Sequence, residues 1–101
     1  GQIPSKKAYE DEELLAFHDI HPWAPVHVLI VPKLHIATMA DVADEHAPML
    51  GRMMVLGAKL MRELGVSNGF RNIINTGRDG GQEVYHLHMH VIGGPRPWLK
   101  G

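Results

Sequence analysis

Apolar positions along the chain change period in a way that separates strands from helix. Leu14 to His18 is a short apolar run after an acidic stretch. Val26 to Val31 is rich in β-branched residues and bounded by Pro25 and Pro32, so both runs predict strands, with Asp19–Pro25 returning the chain antiparallel. Lys33 to Ala43 is irregular and offers Asp41 and Asp44 as helix caps. Met49, Met53, Leu56, Leu60 and Leu64 then follow at steps of four, three, four and four, one stripe of a helix that Gly65 ends. The methionines Met49, Met53, Met54 and Met61 read as core filler. Phe70–Asn75 and His86–Ile92 predict two more strands across the glycine-rich loop 76–82. The expected fold is α+β: an antiparallel sheet of about five strands carrying one long helix and a shorter one.

Composition narrows the function classes. With 101 residues and no internal repeat, the chain is expected to form a single domain spanning 1–101. A net charge of −1, from 10 basic against 11 acidic residues, provides no basic field for nucleic acid. The absence of cysteine excludes thiol chemistry and fits a reducing compartment. No run approaches membrane-spanning length, so the expectation is a cytoplasmic protein acting on neither membrane nor nucleic acid.

His86-Leu87-His88-Met89-His90-Val91-Ile92 places three imidazoles on alternate positions. In an extended chain, His86, His88 and His90 share one face while Leu87, Met89 and Val91 face the core. Such a row suits a divalent metal or an imidazole nucleophile with neighbours that set its tautomer. His27 opens a strand where its ring can reach the same groove or remain an ordinary exposed histidine; His35 and His46 read as surface residues. Asp19, at a strand-to-loop transition, can cap the turn or accept two ribose hydroxyls, and the residues alone favour the turn. Asn75 and the backbone around Gly77, Gly80 and Gly81 can converge donors on an anion beside the histidines. That neighbourhood favours phosphorus chemistry over zinc. His88 is then the nucleophile, His86 fixes its environment, and His90 and Asn75 donate to non-bridging oxygens. Trp98 is either a packing anchor or a lid.

Residues 86 to 92 match the His-φ-His-φ-His-φ-φ motif, φ being apolar, and the chain resembles the histidine triad (HIT) superfamily. Phe17-His18-Asp19-Ile20, Ala24-Pro25-Val26-His27, Pro32-Lys33, Asn75, Gly80-Gly81-Gln82 and Gly93-Gly94 extend the resemblance to the Hint branch over nearly the whole chain. The resemblance implies a two-fold homodimer that hydrolyses purine nucleoside phosphoramidates such as AMP-lysine, with acyl-adenylates as a further candidate substrate, through nucleotidyl-His88, with no cofactor and no metal. Asp19 would hold the ribose, with Phe17, Ile20 and Leu29 near the base or sugar. Asn75, Gly81, Gln82, Glu83, Met89 and His90 would surround the phosphate, and His27 would lie near the leaving group. Glu83 stands where some relatives have a serine that protonates the leaving amine. The apolar segment that precedes Ile3–Pro4 in the family is absent, and Trp98 would reach a partner's active site. Dinucleoside polyphosphate hydrolysis and a nucleotide-sensing scaffold are the alternatives.

Overall fold

The computed structural model describes residues 6–101, so Ile3 and Pro4 lie outside the described residues. β1 (Lys7–Glu10), β2 (Leu14–His18) and β3 (Val26–Pro32) lead through two 3-10 turns, Met39–Asp41 and Asp44–His46, into α1 (Ala47–Glu63). β4 (Phe70–Ile73) and β5 (Met89–Gly93) complete a sheet of order β1-β2-β3-β5-β4, each neighbouring pair antiparallel.

α1 packs on one face of the sheet. Met49, Met53, Leu56 and Leu60 are buried as the stripe requires, but Leu64 lies beyond the last helical turn and is exposed. Met61 fills the core instead, fully buried, whereas Met54, one step round from Met53, faces outward and is no core filler. The helix closes with Gly65 at φ +82°, Val66 N–H donating to Met61 O at 2.9 Å and Gly65 N–H to Arg62 O at 3.2 Å. That is a Schellman closure, which the left-handed glycine permits. Gly57 lets α1 lie close to β5: a Cβ there would stand 3.2 Å from Val91 Cγ2 and 3.4 Å from Met89 Cε.

Three local expectations are corrected. The shorter helix is realised as the two 3-10 turns, the first capped by Thr38, whose hydroxyl accepts from Ala40 N–H at 3.0 Å. Asp41 and Asp44 sit within these turns and do not cap α1, which starts at Ala47 with Pro48 in its first turn. β5 begins only at Met89, because Leu87 N–H is drawn away to Ile36 O at 2.7 Å. His86 and His88 therefore precede the strand, although Leu87, Met89 and Val91 still alternate into the core. No helix among the described residues is long and apolar enough to cross a membrane.

Candidate active site

Strand register brings the histidines together. Leu29 lies opposite His90 across β3 and β5, while His27 pairs with Ile92, which puts the rings of His27 and His90 diagonally on one face. They meet at 2.9 Å between His27 Nε2 and His90 Nδ1, both residues buried. Trp23 stacks on the His90 ring with centroids 4.2 Å apart, and its backbone N–H donates to His27 Nδ1 at 3.0 Å.

These contacts fix the protons. A backbone N–H can only donate, so neutral His27 keeps its proton on Nε2 and gives it to His90 Nδ1. Neutral His90 then carries its proton on Nε2 as a donor without formal charge. Burial holds both imidazoles below their ordinary pKa. For His27 the Asp19 carboxylate opposes that shift. For His90, burial followed by repulsion from His27 and His88 brings the value to about 4.

His88 is half-buried beside this pair, its ring edge-on to His90. Its Nδ1 lies 2.7 Å from the His86 carbonyl oxygen, an acceptor, so the proton sits on Nδ1 and the lone pair of neutral His88 is on Nε2. His86 is anchored in turn: its Nε2–H donates to Pro32 O at 2.8 Å, which leaves its Nδ1 to accept from His35 Nδ1 at 3.1 Å. His35 is thus exposed but engaged with the triad, contrary to its reading as a simple surface residue. His46, half-buried, accepts from Ala43 N–H at 2.9 Å and belongs to the turn before α1.

A groove of about 310 Å³ opens over His88 and His90. Of the residues expected there, Asp19, Leu29, Asn75, Gly81, Gln82 and Glu83 line it with them. Phe17, Ile20, His27, His86 and Met89 are not among its walls. Met89 faces the core, fully buried, and His27 and His86 stand behind the lining rings. Asp19 is the turn cap the sequence favours, with Oδ1 accepting from His21 N–H at 2.7 Å, while Oδ2 lies 3.7 Å from His27 Nε2.

The glycine-rich loop departs from expectation. Gly77 N–H donates to Gln82 Oε1 at 2.8 Å, Gly81 N–H to Arg78 O at 3.1 Å, and Gln82 N–H to Gly77 O at 3.0 Å. These amides close the loop on itself and do not form an anion nest. Gln82 also donates from Nε2 to Ala37 O at 2.8 Å and Val84 O at 3.0 Å, so its side chain is a staple.

Asp19, His27 and His90 bring three potential ligand atoms within 4.8 Å of one another. The donor chemistry does not fit a cation in this arrangement. His27 Nδ1 is already an acceptor, so a metal on Nε2 would demand an imidazolate or loss of the Trp23 bond.

Sequence reasoning missed Trp23 and Lys100, both of which line the groove. A tryptophan between Pro22 and Pro25 was a usable signal; a single lysine near the end of the sequence was not. Trp98 lies away from the groove, in a depression of about 560 Å³, with Arg96 stacked 3.7 Å from its ring and Nε1–H donating to Gly94 O at 2.9 Å. Within one chain it is a packing anchor.

The HIT domain family model matches residues 1–96. The chain is 50% identical over 94 residues to a purine nucleoside phosphoramidase of Escherichia coli strain K12, covering 92% of this chain and 79% of that protein. It is 47% identical over 94 residues to Protein HitA of Neisseria gonorrhoeae, covering 93% and 88%. A crystal structure of a HIT family hydrolase from Legionella pneumophila superposes with a TM-score of 0.89 at 45% identity, covering 93% of this chain and 85% of that one. With the motif and the sheet in agreement with these matches, the chain belongs to the HIT domain family.

Proposed function

We propose that this HIT-family hydrolase cleaves the P–N bond of purine nucleoside 5′-monophosphoramidates, AMP-lysine among them, through a covalent nucleotidyl-His88. The observation that carries the reading is the 2.7 Å contact from His88 Nδ1 to the His86 carbonyl, which leaves Nε2 as the nucleophile. In the first step the Nε2 lone pair forms the N–P bond, the P–N bond to the amine breaks, and the amine leaves with a proton taken from solvent, which the second step returns. Water then attacks phosphorus, the His88–P bond breaks, and nucleoside monophosphate leaves while the proton of water is released. His90, holding its proton on Nε2 through the His27 contact, donates to a non-bridging oxygen as charge moves onto it. His27 acts through His90 as a positioning residue. Asp19 and Leu29 line the ribose side, and the exposed carboxylate of Glu83 stands at the groove where the leaving amine departs.

His88→Asn places an amide N–H at about the reach of Nδ1 and removes the nucleophile. Turnover of an adenosine 5′-monophosphoramidate should fall on the order of 10⁴-fold with AMP binding retained. Intact mass spectrometry of the wild type with a slow phosphoramidate should reveal a nucleotidyl adduct on His88. An adduct on another side chain, or residual turnover near wild type in the variant, would reject the assignment. A diadenosine polyphosphate cleaved faster than the phosphoramidate would favour the sister activity, since its leaving group needs no protonation.

The same reading includes a homodimer. β4 is an edge strand, with Phe70 exposed on it and Met54 and Val55 exposed on the adjoining helix, a row of apolar groups that a second copy would cover. Sedimentation equilibrium at micromolar concentration tests it, and a monomer would refute it.

A further inference from the structure

Within the groove the charges are unevenly matched to an anionic ligand. Its walls carry the carboxylates of Asp19 and Glu83. The two buried imidazoles resist protonation, and the loop amides of Gly77, Gly81 and Gln82 are spent on their own turn. Among the residues lining the groove, the one permanent cation is Lys100.

Lys100 is not there by the accident of a loose side chain. Leu99 N–H and Lys100 N–H both donate to Trp23 O, at 2.7 and 3.1 Å, which ties this segment to the residue whose ring stacks on His90. Gly101 then lies so close to Ile92 that a Cβ there would overlap its Cδ1, with Trp23 Cε3 in ordinary contact at 3.6 Å, so the segment packs on the strand bearing His90. The Lys100 ammonium rests 4.9 Å from the centre of the Trp23 ring. A cation–π contact at such a partly exposed place is weak, so an anionic phosphoryl group can compete for the ammonium. The field of Lys100 already reaches the catalytic rings, since it is one of the charges that hold His90 unprotonated.

We propose that Lys100 is a substrate-binding residue whose ammonium group meets the phosphate of the nucleotide on the His90 side of the groove. The proposal rests on the phosphoramidase reading and adds to it the source of positive charge that the glycine-rich loop does not supply. Nucleotide recognition then divides into two parts. Neutral donors orient the phosphorus centre for His88, and one anchored cation attracts and retains the anion.

Lys100→Met keeps the aliphatic stem on Trp23 and removes the charge; Lys100→Arg keeps the charge. Calorimetric titration with AMP and with adenosine separates phosphate binding from packing, and steady-state turnover of adenosine 5′-monophosphoramidate separates KM from kcat. For Lys100→Met, the AMP Kd and the KM should rise about tenfold, as for loss of a charge-assisted hydrogen bond. In the same variant kcat should be little altered, adenosine binding unchanged, and the salt dependence of AMP affinity flattened. Lys100→Arg should restore most of the loss. Equal AMP affinity in wild type and Lys100→Met, or equal weakening of AMP and adenosine, would overturn the proposal. A wild type that neither binds AMP nor turns over the phosphoramidate would instead overturn the reading of the site itself.

Discussion

His90→Gln removes an imidazole whose neutrality the structure enforces, and the effect on stability has a defined sign. Burial, with repulsion from His27 and His88, lowers its pKa from 6.5 to about 4 in the folded chain. Above pH 6.5 neither folded nor unfolded His90 is protonated, and linkage contributes nothing. As pH falls through the window from 6.5 to about 4, the unfolded chain takes up a proton that the folded chain refuses. The wild type therefore loses stability across that window, about 3 kcal/mol when the shift is converted to free energy. The glutamine variant has no such group. At neutral pH it should be less stable by about 1 kcal/mol, because the His27 hydrogen bond and the Trp23 stack are impaired. On acidification the gap should close and reverse. Urea unfolding followed by tryptophan fluorescence, from about pH 7.5 to about pH 4.5, measures the difference directly. Wild type should lose about 2–3 kcal/mol more than the variant over that range. Parallel curves would mean that His90 titrates as a solvated histidine, and the assignment of its proton to Nε2 as a neutral donor would fail.

Two further expectations concern the supports of the site. Met61→Ala empties a fully buried position on α1 and should cost about 3 kcal/mol, read as a drop of roughly 15 °C in Tm; a drop of a degree or two would mean that the core collapses into the gap. Gln82→Ala removes the three bonds that staple the loop to Gly77, Ala37 and Val84 and should cost about 2 kcal/mol. It should also speed amide exchange at Gly77 and raise KM for the phosphoramidate, and unchanged exchange there would show that the loop holds itself.

The layers of the fold were legible because their periods are strong. The stripe from Met49 to Leu60 and the alternation from Leu87 to Val91 each place apolar side chains on one side, and burial follows both. β1 was not legible: Lys7-Ala8-Tyr9-Glu10 carries little apolar content and joins β2 through a bulged register. The end of the helical stripe misled for a related reason, since Leu64 keeps the period after the chain has left the helix. In the site, the residue types announced imidazole chemistry, but proton placement did not reside in them. It depends on which carbonyl faces His88 and which amide faces His27, and both are products of turns. Composition presents the loop glycines as donors and cannot reveal that the N–H groups of Gly77 and Gly81 are taken up by acceptors of the loop itself. Lys100 depends on contact with Trp23, which is distant in sequence and close only in the folded chain.

Gly57 touches no groove residue, yet it sets the thickness of the layer behind the histidines. Val91 and Met89 rest directly on its bare backbone, and His90, between them in the chain, projects to the opposite side. The gap left by one missing methyl group thus acts as a shim. Bulk added at that point, on the far side of the sheet, would press on the Val91 and Met89 side chains and through them on the strand that carries His90, so the lining of the groove can be retuned from the opposite face.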